Sequence, residues 1–284
     1  MTYDSESVRA YFDAFADREW ERLETTVQGR TNYGVHKRFL DQYVRPGMRV
    51  LDIGSGPGRF AIDLVELGAE VTLVDLSQVQ LDLARKRLGE RGMLDRVLEF
   101  RRLDVVDLRS IDEGAYDLVV CFGGVVSYTR ERHPEALREL RRVVRPGGAV
   151  LLSVISLYGA LRLIGPLDAA AVLESIDEHL DWQAVLSGAD IVYTRFGSVE
   201  FHQPLALFTS AGLKTVVAEA GLHVETLAAA NPILPQFLRV PKIEESAHAA
   251  DVLQRLELAL CDWPGLLDAG GHLLAVARRP GQST

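Results

Sequence analysis

From position 48 onward the chain alternates short apolar runs with segments whose apolar residues recur every three or four places. The runs at 48–53, 70–75, 97–102, 117–122, 149–156, 223–228 and 272–277 predict strands. Between them, helical spacing follows the loop after 53, opens again at Ser77 and at His133-Pro134, and spans 210–220. Strands separated by helices predict an α/β fold with a mostly parallel sheet covered on both faces. The first 45 residues read as two amphipathic helices, one carrying Val8, Tyr11, Phe12 and Phe15, the other Val35, Phe39, Leu40 and Tyr43. Two long segments, 157–207 and 231–268, break the rhythm and read as helical or irregular insertions, the usual place for substrate-specific parts.

The expected organisation is therefore a helical lid over 1–45, a ligand-binding core over 46–156 and a cap over 157–207. Residues 208–284 would complete the core around a second insertion at 231–268. Local signals support the boundaries. Gly68 stands where a helix ends, Ser77 with Gln80 reads as a capping box, and Pro134 takes the first turn of a helix. Arg145-Pro-Gly-Gly reads as a turn.

The composition is that of a globular chain, 48% hydrophobic and 25% charged. A net charge of −9 disfavours a basic surface for nucleic acid. The Arg-rich stretch 138–145 reads as a solvated helix face. Two cysteines, Cys121 and Cys261, exclude a disulfide framework. No apolar stretch reaches the roughly 20 residues of a bilayer span, and the acidic start lacks a signal-peptide core. A cytoplasmic protein without a membrane partner is expected.

Chemistry concentrates in Val-Leu-Asp-Ile-Gly-Ser-Gly-Pro-Gly-Arg-Phe, residues 50–60, between a strand and a helix. Glycines at 54, 56 and 58 let the backbone turn sharply and approach a ligand, and the helix N-terminus turns its amides the same way. Arg59 stands where a dinucleotide fingerprint needs glycine, and no Gly-Lys-Ser/Thr ends the loop as a phosphate cradle would. Asp75 ends the next strand, where a carboxylate can accept both hydroxyls of a ribose. Asp104, after the third strand, could accept an exocyclic adenine amine beside the Val105 amide.

Together these residues resemble the class I S-adenosylmethionine-dependent methyltransferases. The resemblance runs from about residue 45 to 156 and more loosely through the strands near 223–228 and 272–277. It implies a doubly wound, Rossmann-like sheet of seven strands with the last one reversed, and S-adenosyl-L-methionine as cofactor over the ends of strands one to four. Gly54, Ser55, Gly56 and Gly58 would hold the methionine end, with Asp52 behind them, and Phe122-Gly123 would lie against it. Asp75 would bind the ribose, Leu76 and Gln80 would flank the adenine, and Asp104-Val105 would bind its edge. Gln80 departs from the apolar residue usual at its position. Tyr33, in the lid, could reach the methionine carboxylate or simply pack.

Methyl transfer from a sulfonium needs chiefly a nucleophile held in line with water excluded. A base matters only if the nucleophile must lose a proton. Tyr128, which follows strand four, could face the reactive methyl or serve as a lid aromatic. His202 could act as a base near neutral pH or be structural. The segment after strand four lacks the Asn/Asp-Pro-Pro-Tyr/Phe of amino-directed nucleic-acid enzymes and the Pro-Cys of cytosine-C5 enzymes. No acidic cluster suggests a metal. The expectation is a methyltransferase for a small-molecule acceptor. The alternatives are an RNA- or protein-directed methyltransferase, a nicotinamide-dependent oxidoreductase, or a regulator that binds the cofactor without turnover.

Overall fold

A computed structural model of the chain describes residues 2–162, 174, 178, 180–194, 203–238, 243 and 245–281. The main sheet has seven strands: β1 (Arg49–Ile53), β2 (Glu70–Asp75), β3 (Val97–Arg102), β4 (Tyr116–Cys121), β5 (Val144–Ile155), β8 (His223–Ala230) and β9 (His272–Arg278). A two-stranded ribbon of β6 (Ile191–Tyr193) and β7 (Ala206–Phe208) lies apart from it. The order is β3-β2-β1-β4-β5-β9-β8, with β9 antiparallel to both its neighbours and the first five strands parallel. The expected sheet, including its reversed last strand, is the one observed.

Alternation along the parallel strands divides the core. Leu51, Ile53, Val119, Cys121, Leu152 and Val154 pack on one face, and Val50, Leu73, Leu118, Val120 and Leu151 on the other. Burial of each such side chain is worth about 1.5–3 kcal/mol, which is why both faces must be covered. Helices α4 (Arg59–Glu66) and α5 (Gln78–Glu90) contribute Leu64, Leu81 and Leu88 to the second face. Helix α3 (Val27–Tyr43) adds Val35, Phe39 and Leu40 there. Helix α7 (His133–Val143) adds Leu137 and Leu140 to the first.

Three local expectations change. The first 45 residues form three helices, α1 (Ser5–Phe15), α2 (Arg18–Glu21) and α3, broken at Ala16, whose φ is +45°. Residues 145–148 are not a free turn: they bulge out within β5 between the Tyr116↔Val144 and Leu118↔Ala149 pairs. The segment 157–207 contains β6 and the start of β7, a pair whose three-residue strands are too short to show an alternation.

The chain winds outward in opposite directions from β1 and β4, so a crevice opens at their carboxyl ends. Above it, Tyr128, Leu157, Leu180, Val192 and Leu207 form a separate apolar cluster with Val8 and Phe12 of α1. The first helix is thereby held across the crevice.

Candidate functional site

The glycine loop is stitched to β2. The Gly54 and Ser55 amides both donate to the Val74 carbonyl, at 2.8 and 3.1 Å. Gly54 has φ +67°, and a Cβ there would lie 2.1 Å from Val125 Cγ2, so no side chain fits. Gly58 caps α4 in the left-handed region, close against Ala84.

Asp75 closes the loop from below. Its Oδ2 accepts from the Gly56 amide and its Oδ1 from the Ser77 amide, both at 2.8 Å. Burial nevertheless pushes its carboxyl up to about 6, against the lowering by these hydrogen bonds. Asp52 is pushed further, to about 8, by burial and then by the neighbouring carboxylates of Asp75 and Asp63. Among the described residues, Asp52 Oδ2, Ser55 Oγ and Gln80 Oε1 are buried without a hydrogen bond. Of these three, Gln80 lines the cavity, where its Oε1 can accept from a donor on a ligand.

The cavity over this loop, with the N-terminal residues folded across it, has a volume of about 90 Å³. Gly54, Gly56, Asp75, Leu76 and Gln80 line it. Asp104, Val105, Phe122, Gly123 and Tyr128 line it as well. Asp52, Ser55 and Gly58 are not part of the wall; Asp52 lies within β1 and Gly58 at the start of α4. Tyr33 is elsewhere: its hydroxyl donates to Asp63 at 2.7 Å and its ring stacks on Phe60, which draws it away from the crevice. His202 lies outside the described residues.

Several wall residues had no sequence signal beyond membership of the lid: Tyr3, Val8, Phe12 and Glu19 form the roof. Glu19 pairs with Arg22. The Glu19 Cγ is 3.5 Å from where a Gly56 Cβ would be, and Arg22 Nη2 is 3.8 Å from the same point on Gly123. An ion pair thus stands directly over the glycine loop. At the opposite end, Tyr3 donates its hydroxyl to Asp104 Oδ2 at 2.9 Å, while Asp104 Oδ1 accepts from the Val106 amide at 3.1 Å.

The roof is fastened to the elements beneath it by side chains. Gln80 Nε2 donates to the Phe12 and Ala16 carbonyls at 2.9 and 3.2 Å, capping the end of α1. Its side chain therefore does not complete the expected capping box; Ser77 Oγ still accepts from the Gln80 amide and itself donates to Asp13. This explains a polar residue at that position. Trp20 lies under the guanidinium groups of Arg59 and Arg87, 4.6 and 4.7 Å from its ring. Arg59 and Arg87 also pair with Glu24 and Asp17.

Tyr128 is buried and meets Phe12 edge to face at 5.3 Å. Burial raises its phenol well above the ordinary value, which keeps it protonated and suits a wall better than a base. Burial likewise raises the Cys121 thiol, an inert core position. Behind Phe122-Gly123, the Gly123 amide donates to Ser153 Oγ at 3.0 Å, and Ser153 Oγ lies 3.1 Å from His36 Nε2. His36 Nδ1 is 2.8 Å from the Asn32 carbonyl, and burial lowers this histidine to about 4.

Among the described residues, no group of three or more His, Cys, Asp or Glu side chains is placed to hold a metal ion, and no helix is long and apolar enough to cross a membrane. Residues 50–148 match a family described as "Methyltransferase domain". The ubiquinone biosynthesis O-methyltransferase of Alkalilimnicola ehrlichii is 28% identical over 193 residues, 64% of this chain and 73% of that one. The tRNA 5-carboxymethoxyuridine methyltransferase of Escherichia coli is 29% identical over 154 residues, 53% of this chain and 58% of that one. The solved 1,6-didemethyltoxoflavin-N1-methyltransferase of Burkholderia thailandensis, with bound S-adenosylhomocysteine, matches with a TM-score of 0.56 at 16% identity, covering 97% of this chain and 88% of that one. With the glycine loop, the two strand-end carboxylates and the reversed β9, these likenesses support a class I S-adenosylmethionine-dependent methyltransferase, an enzyme whose cofactor is S-adenosylmethionine.

Proposed function

We propose that the chain methylates a small-molecule acceptor bound under the roof formed by residues 3–22, with the reacting atom beside Tyr128. The observation that carries this reading is the cavity itself, a bounded space with Val8, Phe12, Val125 and Tyr128 among its walls. A nucleic-acid acceptor would call for an open basic face. Three of the four arginines of 138–145 are instead engaged within the fold: Arg142 donates to the Leu108 and Ile111 carbonyls, Arg145 to Asp117 and Arg141 to the Gly221 carbonyl.

In this reading Asp75 accepts the ribose hydroxyls, Asp104 and Val105 meet the adenine edge, and Leu76 and Gln80 flank the ring. The backbone of Gly54, Gly56 and Gly123 meets the methionine end, and the Glu19–Arg22 pair offers opposite charges to its ammonium and carboxylate. S-adenosylmethionine supplies a methyl group already activated on a sulfonium. The chain's contribution is to orient the acceptor and to keep water out with Phe12, Val125 and Tyr128.

Calorimetry with S-adenosylhomocysteine, followed by a transfer screen with small acceptors and with bulk tRNA, tests the reading. The native chain is expected to bind, and Asp75→Ala to bind at least about tenfold more weakly, the worth of one charge-assisted hydrogen bond. No binding by the native chain, or transfer to tRNA alone, overturns it.

A further inference from the structure

Asp104 has both carboxylate oxygens occupied from within the chain, one by the Val106 amide and one by the Tyr3 hydroxyl. A phenol hydroxyl and an exocyclic amine are both neutral donors, and because Tyr3 stands in the same cavity wall as Asp104, the two compete for the approach to Asp104 Oδ2 from the cavity. Tyr3 also lines the cavity beside Asp104, Leu103 and Val105, and its ring packs on the core beneath. We infer that Tyr3 is a self-ligand of this end of the site. Its bond to Asp104 is a latch that the adenine amine must displace, so it gates cofactor entry and release. The inference rests on the proposed placement of adenine at Asp104.

The anchoring of the roof supports a latch rather than a fixed wall. Its far end is tied by the two Gln80 hydrogen bonds and by Asp13 to Ser77. At the near end, Tyr3 holds through its hydroxyl and through its backbone amide, which donates to Glu131 at 2.7 Å. Asp4 caps α1 directly after Tyr3, so the helix and the latch move together. At the far end itself, Ala16 sits at φ +45°, a conformation that alanine rarely adopts, where α1 stops and α2 begins. Freeing Tyr3 lets the start of α1 swing about this end, which Gln80 keeps in place.

The test is a double-mutant cycle on the full chain, read as affinity for S-adenosylhomocysteine by calorimetry and as association rate by stopped flow. Tyr3→Phe keeps the ring and removes the competing donor. It is expected to tighten binding roughly three- to tenfold and to raise the association rate, the effect of one hydrogen bond no longer broken on binding. In an Asp104→Ala background the same substitution is expected to change affinity by less than about twofold. Tyr3→Phe that leaves affinity unchanged or weakens it overturns the latch, as does an equal effect in both backgrounds. If the native chain fails to bind, the methyltransferase reading falls as well. If it binds but Asp104→Ala leaves affinity unchanged, the placement of adenine and the latch fall together while the methyltransferase reading stands.

Discussion

Below the cavity, Gly54, Ser55, Gly56 and Asp75 are joined to β2 and to one another by hydrogen bonds to backbone groups inside a sheet buried on both faces. Above it, residues 3–22 are tied down by side-chain bonds, some from buried groups such as Gln80 and Ser77 and others at the surface, among them Asp17, whose side chain is 62% exposed in its pair with Arg87. Opening the floor means breaking the sheet and exposing its apolar core. Opening the roof means giving up a few hydrogen bonds, ring contacts and screened ion pairs. Local opening free energies follow such differences, so one cavity combines a fixed binding surface with a cover that can leave it.

The contrast breaks first at the floor. Gly54→Ala puts a methyl group 2.1 Å from Val125 at a φ of +67°, and neither the loop nor the helix after β4 can yield without disturbing β1. The expected outcome is a loss of more than about 2 kcal/mol in urea melts together with loss of S-adenosylhomocysteine binding. Native-like stability in this variant would mean that the loop is as yielding as the roof.

A second, smaller effect sharpens the same side through pH. Asp52 is held at about 8 in the fold, well above its ordinary range, so the folded state keeps a proton that the unfolded chain releases. The stabilisation from that proton is complete below about pH 4 and is lost as pH rises through about 8. Asp75, at about 6, adds a slope at lower pH. Asp52→Asn should therefore remove the decline in stability between about pH 6 and 8 and leave, between about pH 4 and 6, only the smaller slope that belongs to Asp75. Equal declines in native and variant chains would show that Asp52 does not titrate there.

The smallest effect belongs to the roof. Asp17→Ala removes an exposed partner of Arg87 and is expected to cost less than about 0.5 kcal/mol in the same melts, shrinking further at high salt. A loss comparable to that of Gly54→Ala would show that the roof and the sheet unfold as one unit.

The two regions also differ in how far their residues announce them. The strands of the core are near-continuous apolar runs bounded by glycine and proline, and β2 and β3 begin and end where the pattern puts them. The glycine loop and Asp75 are local, so ten of the expected site residues line the cavity. The roof is made of long-range contacts, and these leave little periodic trace. Glu19 and Arg22 read as an ordinary pair one helical turn apart until the fold sets them over Gly56 and Gly123. Tyr33 sits in the correct helix, yet Asp63, thirty residues away, claims its hydroxyl. Gln80 has the spacing of a capping box but finds the carbonyls of Phe12 and Ala16 instead.

The buried histidine behind the site gives the contacts there a direction. Because the Asn32 carbonyl can only accept, His36 Nδ1 carries the hydrogen and Nε2 presents a lone pair, which Ser153 must fill with its own hydrogen. The serine oxygen is then left to receive the Gly123 amide. The hydrogen bonds therefore all point one way, from the loop after β4 through β5 to α3, and a histidine held at about 4 keeps that polarity across the neutral range. The backbone against which the methionine end would rest is thus oriented from within the core, by a string of groups that no ligand touches.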